Sequence, residues 1–212
     1  YRDALAIRES MALRLELARY LEESGDLEAA YAEYHTLLGD RPDAFTGMRR
    51  SGTDPLAVAE DLANAAWLSD ALETLRTVDA PEALPLRGRA LVGLGRYQEA
   101  AEAFRAWLAD HPDDAGVKME LAKALERLDQ PDEALALYEE IDNADSKLAR
   151  AGLLESDDPE QALELYQEVP YPVAWWSATT ILEHHGRLTE TPPLYRRVAR
   201  SSTYLADDAA YR

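Results

Sequence analysis

The chain has 212 residues, which is enough for one ordinary domain or for an array of small repeated units. Its 41 acidic and 22 basic side chains give a formal net charge of −19, which disfavours nucleic acid because phosphates require a basic protein face. Cysteine is absent, which excludes disulfide frameworks, thiolate metal sites and cysteine nucleophiles. Alanine and leucine far outnumber valine and isoleucine, which predicts an all-α chain.

The sequence has no feature of a membrane-inserted protein. No uninterrupted apolar run approaches the roughly 18 residues that a helix needs to cross a bilayer. The first residues also lack the apolar core of a signal peptide. We therefore expect no membrane insertion, and the composition is compatible with both the bacterial cytoplasm and the periplasm.

One pattern recurs six times along the chain: a turn residue, a small residue five positions later, and usually an aromatic residue four positions after that. In chain order the sets are Gly25, Ala30 and Tyr34; Ala66, Ala71 and Leu75; Gly95, Ala100 and Phe104; Asp129, Ala134 and Tyr138; Asp157, Ala162 and Tyr166; and Gly186, Thr191 and Tyr195. Residues at i and i+4 share one face of a helix, and glycine or aspartate before them permits a tight turn. Each set therefore predicts a hairpin of two helices, and such hairpins must stack because one alone cannot bury its apolar face.

Proline and glycine residues indicate the limits of these hairpins. Pro42 and Pro112 are expected to end the second helices of the first and third hairpins. Residues 1–10 are expected to form an entering helix or part of a longer first helix. The glycines, proline and polar residues of segment 45–55 predict a lengthened loop between the first two hairpins.

The spacing resembles the tetratricopeptide repeat, a unit of about 34 residues with small, glycine, alanine, aromatic and proline positions in this order. Two of the units place Ala18, Gly25, Ala30, Tyr34 and Pro42, and Gly88, Gly95, Ala100, Phe104 and Pro112, on those positions. The resemblance implies one all-α domain over residues 1–212, a right-handed α-solenoid of about six hairpins. The implied repeats lie near residues 11–44, 52–80, 81–114, 115–142, 143–171 and 172–203, with the start of a further helix at 204–212.

The C-terminal part also resembles a second, narrower family. The strings Ala174-Trp175-Trp176, His185-Gly186-Arg187 and Leu194-Tyr195-Arg196-Arg197 are similar to the α-superhelical region of soluble lytic murein transglycosylases. In that family the helical hairpins carry a separate lysozyme-like catalytic domain. This resemblance implies an alternative function, as the non-catalytic superhelical portion of a peptidoglycan lytic transglycosylase.

The tetratricopeptide repeat resemblance also implies a binding site, because inward-facing residues of the first helices line a concave groove that binds peptides or partner helices. Carried over position by position, the groove residues are Arg19, Glu23, Glu60, Asn64, Arg89, Lys123, Arg127, Lys147, Trp176 and His184. Several are basic in an acidic chain, so we predict that Arg89, Lys123 and Arg127 bind a carboxylate-bearing peptide through charge-assisted hydrogen bonds. The alternative is that they are ordinary solvated helix charges paired at i,i+4.

Charge and aromatic residues are unevenly distributed. Residues 110–168 are strongly acidic. This acidic stretch is interpreted either as a docking face for a basic partner or as a solvated surface that keeps the chain soluble. Residues 169–212 are nearly neutral and rich in aromatics, which is typical of an edge that receives another repeat, another domain or a second copy. Trp175 occupies a repeat position that is usually buried, whereas Trp176 points about 100° away and is the contact candidate.

Catalytic and metal-binding patterns are not found in the sequence. His184 and His185 are adjacent and diverge on a helix, so they cannot share a metal without other ligands. There is no His-Glu-x-x-His, phosphate loop or Gly-x-Ser-x-Gly string, and the acid-rich segments lack the ligand spacing of a calcium loop. We therefore expect no enzyme, metal or cofactor, and a scaffold that binds a protein or peptide.

Overall fold

The computed structural model describes the backbone of residues 2–37, 42–52 and 54–210, and the side chains of 10–37, 44, 46–52 and 54–201. Within these residues the regular structure is entirely helical. The helices are α1 (Arg2–Ser24), α2 (Leu27–His35), α3 (Pro42–Ser51), α4 (Pro55–Asn64), α5 (Leu68–Leu75), α6 (Ala83–Gly93), α7 (Tyr97–Asp110), α8 (Ala115–Arg127), α9 (Pro131–Ile141), α10 (Ala144–Leu154), α11 (Pro159–Glu168), α12 (Pro172–His184) and α13 (Thr191–Ala210).

The helices form two compact units, Tyr1–Asp113 and Asp114–Arg212. In the first unit, hairpins are formed by α1 with α2, α4 with α5, and α6 with α7, while α3 packs against α1, α2 and α4. In the second unit, α8 to α13 pack in sequence, each helix against the next. Each unit is a stack of helical hairpins, so the predicted fold class, an all-α solenoid, is confirmed.

Five of the six predicted turn residues adopt a left-handed backbone conformation. They are Gly25, Ala66, Gly95, Asp129 and Gly186, with φ between 59° and 86°. At each one the next residue donates its amide hydrogen to the leucine carbonyl five positions earlier, over 2.8–3.0 Å. This bond satisfies a carbonyl that the helix end would otherwise leave unpaired. The sixth turn differs: Asp158 N–H bonds to the Leu154 carbonyl four residues earlier, and Asp157 does not have a positive φ.

The predicted small and large residues of the second helices form the core of the hairpins. The residues that are fully or almost fully buried are Ala30, Ala71, Ala100, Ala134 and Ala162, and beside them Tyr34, Leu75, Phe104, Tyr138 and Tyr166. In the last hairpin Thr191 is also buried, but Tyr195 is 39 % exposed. Five of the six predicted packing pairs are therefore confirmed in full.

The acid-rich segments of the sequence begin helices. The side chains of Asp26, Asp54, Asp114, Asn143 and Asp158 each accept a hydrogen bond from a backbone N–H of the first turn that follows. Such caps satisfy donors that have no partner within the helix. Asn143 is the cap of α10: its side chain accepts a hydrogen bond from the Ser146 backbone N–H, and Oγ of Ser146 accepts one from the backbone N–H of Asn143.

The expectation of a loop over residues 45–55 is wrong, because α3 covers Pro42–Ser51. Pro42 begins this helix and does not end α2, whose last residue is His35. The glycine that suggested a loop has a packing role: a Cβ on Gly47 would lie 2.1 Å from Cζ of Tyr34. Thr53 and residues 38–41 lie outside the described part of the chain. Pro112 does follow the end of α7 at Asp110, as expected.

The two ends of the described chain belong to long helices. Helix α1 begins at Arg2, so residues 2–10 are part of a longer first helix, while Tyr1 lies outside the described residues. Helix α13 runs from Thr191 to Ala210 without a break. The expectation that a further helix starts at residue 204 is therefore wrong, because no glycine or proline interrupts the segment after Pro193. Residues 211 and 212 are outside the described range.

Candidate partner-binding surfaces

Most of the predicted groove residues lie on first helices with exposed side chains. In the first unit these are Arg19 and Glu23 on α1, Glu60 and Asn64 on α4, and Arg89 on α6. In the second unit they are Lys123 and Arg127 on α8, and Trp176 and His184 on α12. The three cations of the predicted carboxylate site are thus divided between the two units, with Arg89 in the first.

The environments of these cations differ. No described residue forms a hydrogen bond or ion pair with the Arg89 or Lys123 side chain, and Glu126, the carboxylate three residues after Lys123, accepts a hydrogen bond from Tyr138. Arg19 and Arg127 each interact with another residue. Arg89 and Lys123 are therefore the two predicted groove cations with no partner in the described chain.

Lys147, the remaining predicted cation, takes part in a structural ion pair. Its Nζ lies 2.6 Å from Oε2 of Glu168 and 3.5 Å from Oδ1 of Asp142, and the hydrogen bond to Glu168 raises the pKa of Lys147. These contacts link α10 to α11 and to the residue that ends α9. The side chain is only partly exposed, so Lys147 has little capacity left for a ligand.

The two adjacent tryptophans have different environments, as the sequence predicted. Trp175 packs against the core of the second unit, and the guanidinium carbon of Arg197 lies 5.8 Å from its ring centroid. Trp176 is 56 % exposed and meets Tyr195 edge-on, with the ring centroids 6.2 Å apart. Val173 is one helical turn before Trp176 and is also exposed. Val173, Trp176 and Tyr195 form what we call the aromatic patch.

A second exposed apolar surface lies on α1. Leu13, Leu17 and Tyr20 are spaced i, i+4, i+7 on one face of this helix, and they are 66 %, 46 % and 67 % exposed. We call these three residues the α1 stripe. The corresponding residues of α8, counted back from the turn, are Val117, Leu121 and Ala124, and all three are buried. The α1 stripe therefore occupies positions that are covered in another hairpin of the same chain.

A concentration of arginines in the first unit was not predicted from the sequence. Arg76 caps the end of α5, Arg87 belongs to α6 and Arg96 precedes α7, and all three line one cleft of about 580 Å³. Leu72, Leu91 and Glu99 complete its walls. We call these six residues the arginine cleft. Its signal in the sequence is the spacing of four between Leu72 and Arg76 and between Arg87 and Leu91, which places each pair on one helix face.

A smaller hollow of about 280 Å³ lies elsewhere in the first unit, beside Tyr31 and Val58. Tyr31 donates its hydroxyl hydrogen to Asp61 there, and burial followed by this hydrogen bond raises the pKa of Tyr31. Across the described residues, no group of three or more histidine, aspartate or glutamate side chains is placed to hold a metal ion. No described helix combines the length and apolar character needed to cross a membrane.

Comparison with known proteins identifies the repeat. The tetratricopeptide repeat family profile matches residues 86–149, from α6 to α10. A search of curated proteins found no match. The C-terminal resemblance to lytic murein transglycosylases is not shown by these comparisons.

Solved structures share the fold. A MamA variant is 18 % identical, with a TM-score of 0.59 over 70 % of this chain and 91 % of its own. MamA from Desulfovibrio magneticus RS-1, from residue 41 to its end, is 17 % identical, with a TM-score of 0.54 over 74 % of this chain and 92 % of its own. PilF of Pseudomonas aeruginosa is 15 % identical, with a TM-score of 0.58 over 91 % of this chain and 92 % of its own. At these identities the likeness concerns the fold. Residues 86–149 thus match the tetratricopeptide repeat family, and the repeated turn and packing residues continue the same hairpin pattern on either side of that segment.

Proposed function

We propose that this chain is a non-catalytic scaffold that binds a protein or peptide partner on the exposed face of its first helices. The match of residues 86–149 to the tetratricopeptide repeat family supports an interaction role. The observation that carries the ligand assignment is that Arg89 and Lys123 are exposed and have no pairing partner among the described residues, in a chain with a net charge of −19. Exposed cations of this kind favour a carboxylate-bearing peptide, because an ionised acceptor strengthens each hydrogen bond.

The test measures binding of fluorescent peptides that end in an aspartate or glutamate and a free carboxylate. Arg89→Glu is expected to weaken binding at the first unit, and Lys123→Glu at the second, each by about tenfold or more, because a charge-assisted hydrogen bond is replaced by repulsion. Arg200→Glu is the matched control, since Arg200 is an exposed arginine on the second helix α13. If all three variants weakened binding equally, the loss would be explained by the change in net charge alone. That outcome would contradict the proposed binding surface.

A second mode of association is supported by the α1 stripe. In α8 the corresponding positions are buried, so the same positions on α1 form a stacking surface without a cover from the described residues. We propose that a second copy of the chain supplies this cover and forms a homo-oligomer. Burial of a leucine side chain contributes about 1.5–3 kcal/mol, so the two leucines of the stripe, together with the ring of Tyr20, can stabilise a helix-to-helix contact.

Light scattering coupled to gel filtration tests this association. The wild-type chain is expected to show a mass that rises with concentration, and Leu17→Glu is expected to leave monomers at every concentration. Glu16→Gln is the control, because Glu16 is the exposed neighbour outside the stripe. A wild-type chain that is monomeric at high concentration would refute self-association through the stripe.

A further inference from the structure

The arginine cleft lies on a different side of α6 from the predicted groove cation Arg89. Arg87 and Leu91 are four residues apart and share one face of α6, and both line the cleft. Arg89 is two positions from Arg87, which places it about 200° around the helix. A ligand that occupies the cleft is therefore distinct from a ligand that Arg89 binds on the opposite face of α6.

The cleft keeps a positive charge that its own hydrogen bonds do not neutralise. The Arg96 guanidinium forms two hydrogen bonds with Glu99, at 2.7 and 2.6 Å, and lowers the pKa of that carboxyl. Arg87 donates one hydrogen bond of 3.0 Å to the Leu75 carbonyl at the end of α5. No described residue pairs with the side chain of Arg76. Three guanidinium groups and one carboxylate thus leave two positive charges in the cleft.

The walls of the cleft restrict the kind of ligand. Leu72 and Leu91 add apolar surface beside the guanidinium groups, so the site offers an apolar contact as well as charge. Its volume of about 580 Å³ is large enough for a few side chains and falls within the usual range of ligand pockets. Guanidinium groups are planar donors that match carboxylate oxygens in pairs. An acidic side chain next to an apolar one satisfies both features.

We propose that the arginine cleft is a second docking site, which binds an acidic segment of a protein partner. A carboxylate of the partner is bound by Arg76 and Arg96, and a neighbouring apolar side chain lies against Leu72 and Leu91. This goes beyond the proposed function, which places the partner on the exposed face of the first helices. In the cleft the partner would contact α5, α6 and the start of α7. Binding there would require a glutamate or aspartate side chain within the partner segment, and not only a carboxylate at its C-terminus.

The experiment uses the full chain and a fluorescent, C-terminally amidated peptide of alternating glutamate and leucine. Its counterpart of alternating glutamine and leucine is the peptide control. Arg76→Glu is expected to weaken binding of the acidic peptide by about tenfold or more. Glu99→Gln is expected to tighten binding several-fold, because it removes the negative charge of the cleft. A gain of affinity cannot be produced by a folding defect, so this variant keeps the test decisive.

Arg200→Glu serves as the protein control, and it is expected to bind the amidated acidic peptide as the wild type does. Equal binding of the glutamine peptide, or unchanged binding by Arg76→Glu, would overturn the proposal. Binding of inorganic pyrophosphate through Arg76 without binding of the acidic peptide would also overturn it. A loss with Arg89→Glu but not with Arg76→Glu would reject the cleft and leave the proposed function intact, whereas a loss with neither would reject both sites for this ligand.

Discussion

The phenol oxygen of Tyr34 lies 2.7 Å from Oε2 of Glu22, and this hydrogen bond joins the second helix of the first hairpin to its first helix. The same carboxylate accepts hydrogen bonds of 2.6 and 3.0 Å from Arg50 of α3. Three helices are thus connected at one glutamate. The hydrogen bond from Arg50, and then that from Tyr34, hold the pKa of Glu22 below its ordinary value of 4.5, against the opposing effect of burial.

The tyrosine–glutamate connection recurs in other hairpins. Tyr166 donates to Glu155 and Tyr195 to Glu183, each over 2.5 Å, and Tyr138 donates to Glu126. Where the ring position holds Phe104 or Leu75, which have no hydroxyl, the residue three before the turn is Val92 or Ala63. The glutamate is therefore present where a ring hydroxyl needs an acceptor, since an unpaired buried polar group would be costly.

Removal of the shared carboxylate tests how much this connection stabilises the first unit. Glu22→Ala is expected to lower the free energy of unfolding by about 1–3 kcal/mol, because Tyr34 and Arg50 both lose an acceptor. Glu23→Ala is the matched control at the next position, whose exposed side chain should change stability by less than about 0.5 kcal/mol. Urea unfolding followed by hydrogen exchange of the first unit measures both. Similar losses in the two variants would show that the connection does not stabilise the fold.

The lowered pKa of Glu22 also predicts a dependence on acid. Because the folded pKa lies below the unfolded value, the stabilisation from this carboxylate is present above pH 4.5 and is lost as the pH falls through the folded pKa. The difference in unfolding free energy between the wild type and Glu22→Gln should therefore shrink as the pH falls from 7 to 3. A difference that stays constant over this range would rule out ionisation of Glu22 as its source.

Alkaline conditions act on the buried tyrosines of the second unit with the opposite sign. Burial, and then the hydrogen bond to a glutamate, raises the pKa of Tyr138 and of Tyr166 above the ordinary value of 10.0. The folded state therefore holds protons that the unfolded state releases, so stability is present below pH 10 and is lost as the pH rises above it. Tyr138→Phe should flatten the decline of the urea midpoint between pH 9 and 11, whereas Tyr20→Phe, at an exposed site, should not.

The sequence was sufficient to predict features that depend on local chain geometry. A turn at Gly25 and the pairing of Ala30 with Tyr34 follow from fixed spacing, because left-handed conformations favour glycine and residues four apart share a helix face. The prediction of a loop at Gly47 was wrong because the sequence alone does not distinguish a glycine needed for a turn from a glycine needed for close packing of an aromatic ring. The ring that approaches Gly47 belongs to Tyr34, thirteen residues earlier in the chain.

The arginine cleft was missed for a related reason. Arg76 and Arg87 are eleven residues apart and Arg87 and Arg96 are nine apart, and only the packing of α5, α6 and α7 makes them line one space. The repeat consensus instead directs attention to Arg89, on another face of α6. Family positions can therefore predict which side chains of a first helix are exposed, but a site formed by non-consensus residues of neighbouring helices requires the tertiary structure.

Close approach of a ring to a helix backbone makes Gly88 sensitive to substitution. A Cβ at Gly88 would lie 2.3 Å from Cε1 of Phe104, so Gly88→Ala is expected to destabilise the first unit by about 1–3 kcal/mol. Gly152→Ala is the control, since its Cβ would have only an ordinary contact at 3.7 Å with Oη of Tyr166 and should stabilise α10 by up to about 1 kcal/mol. Thermal unfolding compares the two. If Phe104→Leu in the Gly88→Ala background fails to restore stability, steric overlap with the ring is not the cause.

Ala66 offers a way to stabilise the chain without adding a contact. It holds a turn position with φ of 65°, where the other hairpins with left-handed turns have glycine or aspartate. A left-handed conformation costs a non-glycine residue about 1–2 kcal/mol, whereas glycine loses about 0.5–1 kcal/mol through its greater freedom in the unfolded chain. Ala66→Gly is therefore expected to raise the free energy of unfolding by up to about 1 kcal/mol. Ala63→Gly, in the preceding helix α4, should lower it by about 1 kcal/mol, and a loss of stability in both variants would mean that the turn at Ala66 is not strained.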